Sequence, residues 1–252
     1  MMTAITENRF IENLTRQFRR SPLQINQLQE ADAEILRLDS PATTYLTVTT
    51  DSIVEEIATG LYDDPYLIGW MTVMANMSDL AAVGANPIGI LISEVFPDAL
   101  SQEWISELQR GIEEACEACG TFVLGGDTNS GKQLLLSGCA IGTADQTKLL
   151  TRIGATPGDH LYATGILGKG NAFALNHYLN HGNGTDRSLS YQPSARLREG
   201  QSIAGIGSAC MDTSDGTLAT LDQLMRLNHV GFELNSNIGS LLHPEAKLIA
   251  DA

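Results

Sequence analysis

The sequence predicts an α/β protein built as two domains. Three observations carry this. Strand-like and helix-like periodicities alternate through residues 34–141, the composition turns polar over 144–158 and ends in the turn Thr156-Pro157-Gly158-Asp159, and strand and helix patterns restart behind that turn. The two units are expected over 1–148 and 149–252, and the second reads as incomplete, because a helical pattern that starts near His243 stops at Ala252. With 252 residues, 43% of them hydrophobic, the chain can bury real cores.

Element by element, residues 7–18 read as an amphipathic helix with Phe10, Ile11, Leu14 and Phe18 on one side. Ile35 and Leu36 close a short strand, and the β-branched run 45–50 makes a second, which places Asp51 at a strand end. Asp64-Pro65 opens a helix in which Leu67, Met71, Met74, Met77, Leu80 and Ala81 recur at helical spacing and which Gly84 ends; Asn76 and Asp79 share one of its faces. A strand over 88–95, a helix over 101–119, a strand over 121–124 and a strand over 134–141 follow. Behind the polar turn come a strand at 160–164, a helix at 172–179, a polar loop over 180–192, helices at 193–206 and 218–227, and a last strand at 230–234.

Composition removes several function classes. Thirty acidic residues against fifteen basic ones give a net charge of −15, which argues against a grip on the phosphates of nucleic acid. No apolar run approaches the ~18 residues that a membrane span needs. The N-terminus has no apolar stretch followed by a cleavage site, and four cysteines are too few for a disulfide scaffold, so free thiols and a cytoplasmic location are expected. Cys116 and Cys119 lie within one helical pattern and read as packing residues; the five histidines show no ligand spacing. Gly126 to Lys132 has the spacing of a phosphate-binding P-loop. However, Gln133 stands where a Ser or Thr should hold magnesium, and a strand follows instead of a helix.

What remains is a set of aspartates at element ends beside small or hydroxylated residues: Asp32, Thr50-Asp51, Ser78-Asp79, Gly126-Asp127-Thr128 and Asp212-Thr213-Ser214-Asp215-Gly216. Any one of them reads as a turn former or a cap. Gathered at one mouth, they would repel one another unless cations intervened, and hard oxygen ligands suit magnesium bridging to phosphates. An acidic protein can hold an anionic nucleotide in that way without a basic pocket.

These residues, in this order, resemble the thiamine-monophosphate kinase family, within the superfamily of aminoimidazole ribonucleotide synthetase and selenophosphate synthetase. The resemblance rests on the strings beginning at Val48, Ala75, Gly125, Leu150, Tyr162 and Asp212 (VTTDSIV, ANMSDLAAVGA, GGDT, LTRIGATPGD, YATGILG and DTSDG), which span nearly the whole chain. It implies the two-domain fold of that superfamily, with an N-terminal sheet forming a barrel in a homodimer and a C-terminal mixed sheet with helices. It also implies transfer of a phosphoryl group from ATP to the phosphate of thiamine monophosphate, with Mg2+ as cofactor. Carried over by motif, Asp32, Thr49, Thr50, Asp51, Asp79, Asp127, Asp212 and Asp215 would serve magnesium. Gly126, Asp127, Arg152 and Ser214 would contact ATP, and Arg152 and Asp215 would act in catalysis. No general base is needed, since the acceptor phosphate is already ionised and the work is positioning and charge neutralisation.

The departures are as informative. Ala31 precedes Asp32 where the family usually has a second acid, Ala58 stands where it has a histidine facing the acceptor, and the family's Gly-Glu-Asp-Tyr segment would fall beyond Ala252. The chain is then either a shortened kinase or a non-catalytic or acceptor-altered nucleotide-binding relative. The selenophosphate branch is disfavoured by the lack of an N-terminal Cys, and the hydrogenase-maturation branch by Cys210 being the last cysteine.

Overall fold

A computed structural model describes residues 21–27, 29–38, 43–180, 190–234 and 238–250. The expected helix over 7–18 and most of the polar loop over 180–192 lie outside the described residues.

The first half is one five-stranded sheet in the order β1-β2-β5-β3-β4. Its strands are β1 (Glu34–Leu36), β2 (Thr44–Ser52), β3 (Asn86–Pro97), β4 (Val123–Gly131) and β5 (Leu135–Asp145). All neighbours are antiparallel except β3 and β4, which are joined by a helical crossover. A one-turn helix α1 (Val54–Ala58) follows β2, and two longer helices, α2 (Pro65–Ala82) and α3 (Gln102–Cys119), cover one face of the sheet.

Local chemistry sets the helix ends where the sequence puts them. The Asp64 carboxylate accepts the Leu67 N–H at 2.8 Å and Pro65 fills the first turn, while Gly84, with φ +70°, takes the left-handed turn after α2. Ser101 caps α3 by accepting the Trp104 N–H, and left-handed Gly120 ends it. The two helices cross on glycine. A Cβ at Gly69 would lie 2.1 Å from the Leu108 carbonyl oxygen, and one at Gly111 would lie 2.0 Å from that of Tyr66, so the backbones touch at both points. Around this crossing Ile68, Val73, Met77, Leu80, Leu108 and Ile112 pack on Ile90, Leu136 and Ala140 of the sheet.

The second half holds α4 (Lys169–Asn180), α5 (Leu197–Ile203), α6 (Thr217–Asn228), a 3-10 turn (Ile238–Leu241) and α7 (Pro244–Ala250). Here the structure departs from expectation. Residues 160–164 and 230–234 form no strand, because no neighbouring chain offers them a ladder; among described residues the only sheet-like pairing in this half is the isolated bridge between Leu167 and Leu242. The expected C-terminal mixed sheet is therefore not formed among the described residues. α5 is shorter than the expected 193–206, bounded by Pro193 before it and left-handed Gly205 after it. The Gly125-Gly126-Asp127-Thr128 segment, expected at an element end, lies inside β4, where β3 supplies its hydrogen-bond partners.

Candidate metal and nucleotide site

Three carboxylates meet where the two halves of the chain join. Asp32 precedes β1, Asp79 sits in the last turn of α2 and Asp212 precedes α6; one carboxylate oxygen from each lies within 4.8 Å of the others. Backbone hydrogen bonds hold this convergence. The Arg152 N–H donates to the Glu30 carbonyl at 2.8 Å, Leu150 N–H to Val83, and Cys210 N–H to Thr151, so the 150–152 segment is pinned between the loop carrying Asp32 and the loop carrying Asp212.

Each acid has its own environment. The Asp32 side chain is 1% exposed and receives a two-pronged contact from Arg152, Nη2 to Oδ1 at 2.7 Å and Nε to Oδ2 at 3.0 Å. Asp79 accepts the Thr49 hydroxyl at 2.6 Å. Burial, followed by the charges of Asp212, Asp32 and Asp51, pushes Asp79 up to about 8 against that hydrogen bond. Burial and the charge of Asp32 likewise raise Asp212 to about 6. Asp51 closes the solvent-facing side; its backbone N–H donates to the buried Asn76 side chain at 3.0 Å, and partial burial with Asp212 and Asp215 nearby raises its pKa. Three carboxylates converging within 4.8 Å offer hard oxygen donors of the kind a small divalent cation takes, so the donor set fits Mg2+.

The remaining site residues divide by distance. Thr50 faces β5, its hydroxyl donating to the Gly138 carbonyl at 2.7 Å. Ser214 bonds the Asp212 side chain, and Asp215 is exposed in the turn before α6, close enough to raise Asp51. Gly126 and Asp127 stand apart. They lie on β4, three strand positions from β2 along the row Asp51, Gly138, Ile92, Gly126, or about 14 Å at ordinary strand spacing. Asp127 is exposed there and its carboxylate accepts from Asn129 at 2.6 Å.

Sequence reading missed two residues that shape the site. Asn228, at the end of α6, donates to the Arg152 carbonyl at 2.8 Å and accepts from the N–H groups of Gly154 and Ala155, so it fixes the segment that carries Arg152. Glu56 on α1 is raised by burial and by Asp51, Glu55 and Asp215, which places a further acid beside the cluster. The thiols, by contrast, are structural: burial pushes Cys116 up to about 12 and Cys119 and Cys210 up to about 11, and none is in a disulfide.

The family model for AIR synthase related protein, N-terminal domain, matches residues 30–144. A curated thiamine-monophosphate kinase from Methanospirillum hungatei JF-1 is 30% identical over 206 residues, covering 81% of this chain and 68% of the relative. The chain belongs to the thiamine-monophosphate kinase family. A thiamine-monophosphate kinase from Buchnera aphidicola is 28% identical over 233 residues, 90% of this chain and 72% of the relative. Across its first four curated relatives the chain spans 61% to 72% of their length. A solved structure, AaThiL complexed with AMPPCP and TMP, shares the fold with a TM-score of 0.80 at 24% identity, covering 100% of this chain and 80% of that one. No helix among the described residues is long and apolar enough to cross a membrane.

Proposed function

We propose that the chain is a phosphotransferase that moves the γ-phosphoryl group of ATP to the phosphate of thiamine monophosphate, giving thiamine diphosphate and ADP. The observation that carries this reading is the meeting of Asp32, Asp79 and Asp212 beside Arg152. Relatives named as thiamine-monophosphate kinases, and a fold neighbour bound to an ATP analogue and TMP, supply the substrate class.

Asp32, Asp79 and Asp212 would hold Mg2+, with Thr49, Thr50, Asp51 and Asp215 at the rim; the ion supplies charge neutralisation for the triphosphate. The chain's own residues do the positioning. Thr49 orients the Asp79 carboxylate, Asn76 holds the β2 end that carries Asp51, and Asp32 fixes the guanidinium plane of Arg152. Arg152 keeps N–H donors beyond the two that Asp32 uses, and these serve as phosphate contacts together with Ser214. The work spans both expected units, 1–148 supplying Asp32 and Asp79 and 149–252 supplying Arg152 and Asp212.

The protein would act as a cytoplasmic homodimer. Leu91, Phe122, Val123, Leu124 and Leu135 are exposed on and beside β3, β4 and β5, Phe122 by 71%, and a second sheet laid against them would bury this surface. Gly126 and Asp127 on the same edge strand would then serve ATP and metal at the subunit boundary.

A second reading has its own support. Glu56 stands close enough to Asp51 to feel its charge, and Ala58 ends the same helix where the family has a histidine facing the acceptor, which favours an altered acceptor. Incubating the purified chain with ATP, Mg2+ and thiamine monophosphate separates the two. Thiamine diphosphate that forms with the parent chain and is lost in Asp79→Asn supports the kinase, whereas ATP binding with no product supports the altered relative.

A further inference from the structure

The loop that carries Asp212 is held by a residue outside it. Asp212 to Gly216 leads into α6, with Thr213, Ser214 and Asp215 exposed on its outer side. Within the loop the Gly216 N–H donates to the Thr213 carbonyl at 2.9 Å, which closes a turn around Ser214 and Asp215. That bond does not reach Asp212. Gly216 is the N-cap of α6 and has no side chain with which to tie the loop to the helix.

Thr220 supplies the tie. It lies one turn into α6, 6% exposed, and its hydroxyl contacts the carbonyl of Asp212 at 3.0 Å and that of Gly216 at 3.2 Å. The Gly216 contact is the ordinary bond of a helical threonine to the carbonyl four residues back, and that carbonyl already accepts the Thr220 N–H at 3.1 Å. The Asp212 contact spans eight residues and leaves the helix. The backbone held in this way belongs to the acid whose carboxylate joins Asp32 and Asp79. The same helix also holds Arg152. Leu224 is buried one turn beyond Thr220, and Asn228, a turn further, donates to the Arg152 carbonyl at 2.8 Å, so Thr220, Leu224 and Asn228 recur every four residues along one stripe. The two grips are about 12 Å apart along the helix axis, and α6 sets Asp212 and Arg152 against each other as a rigid spacer.

We propose that Thr220 is a positioning residue for the metal site, its hydroxyl fixing the Asp212 backbone so that the carboxylate meets those of Asp32 and Asp79. This rests on the metal-binding reading above. Thr220 acts through Asp212, and Mg2+ demands near-ideal ligand geometry, so a carboxylate that swings with an untied loop is a poor ligand. Binding of Mn2+, which takes the same oxygen ligands and has an EPR signal, to the metal-free full chain is the test. The part of that binding lost in Asp79→Asn belongs to the cluster. Thr220→Val keeps the shape of the side chain and removes the donor, so the cluster's affinity for Mn2+ falls about tenfold, the worth of one hydrogen bond and of the carbonyl left unmet. Thr220→Ser keeps the hydroxyl and stays within about threefold of the parent. A threonine that matters only for its methyl group gives the reverse order, Thr220→Ser weak and Thr220→Val close to the parent, and that order overturns the proposal. Unchanged affinity in Thr220→Val, or equal weakening in both variants, overturns it too. Should Thr220→Val not fold, Thr220→Ser decides alone, parent-like binding supporting the role and weakened binding overturning it. Mn2+ binding in the parent that Asp79→Asn leaves untouched overturns the metal site itself, and the role of Thr220 with it.

Discussion

Arg152 grips both carboxylate oxygens of Asp32 across 120 residues of sequence, and the carboxylate it grips is closed off from solvent. The pair joins the two halves of the chain at the point where phosphates are expected.

Removing one partner leaves the other charge stranded. Arg152→Ala should destabilise the fold by about 3–5 kcal/mol, the usual cost of orphaning a buried ion, and Arg152→Lys should recover only part of this, since an ammonium cannot make the two-pronged contact. The double variant Arg152→Ala with Asp32→Asn should be more stable than Arg152→Ala alone. Urea unfolding of the parent, Arg152→Ala, Asp32→Asn and the double variant reads this; a double variant that loses the sum of the two single effects would refute the coupling.

Asn228 should behave as a positioning residue. Asn228→Ala gives up the bonds to Arg152, Gly154 and Ala155, so ATP affinity in Mg2+ should fall by tenfold or more, with about 1–3 kcal/mol lost in stability. Asn228→Asp keeps the acceptor for Gly154 and Ala155 and loses the donor to Arg152, and should fall between. Calorimetry on both variants decides it; equal affinity in the parent and Asn228→Ala would remove the residue from the site.

The acid cluster makes the metal-free chain sensitive to alkali. Asp79 is held at about 8 when folded, against an ordinary 3.8, so folding takes up a proton between those values and the folded state loses stability as pH rises through that window. In the presence of a chelator the melting temperature should therefore fall from about pH 5 to about pH 8, with Asp212 contributing at the lower end. Millimolar Mg2+ should reverse the fall, and Asp79→Asn should flatten it. A melting curve that stays level with pH in the parent chain would contradict the cluster's geometry.

The α2–α3 crossing tolerates no side chain. Gly69→Ala or Gly111→Ala forces a Cβ onto a backbone carbonyl and should cost about 1–3 kcal/mol or more. Gly231→Ala, with nothing near the added carbon, should be close to neutral. Thermal denaturation of the three variants compares them directly, and similar losses at all three would mean that the helices do not meet there.

Much of this architecture could be read from residue patterns. Asp64-Pro65, Ser101 and Gly84 mark helix ends by local bonding alone, and local bonding is what a linear pattern encodes. Asp32, Asp79 and Asp212 were visible because each sits beside hydroxyls or turns where an acid has work to do. Asp127 was misplaced for a related reason: two glycines and an acid resemble a turn until a neighbouring strand is present to pair with them. The runs 160–164 and 230–234 show the converse, strand-like composition with no ladder beside it. Asn228 was invisible, since it looks like the ordinary end of a helix and its hydrogen-bond partners come from a part of the chain far away in sequence.

The acidic trio draws one member from ahead of the sheet, one from a helix packed on it and one from the loop that opens α6. An ion shared among them would rivet the two halves together, so any hinge-like parting of those halves must first surrender the ion. Loading the site and stiffening the joint are then a single event, and a nucleotide would meet a frame already locked.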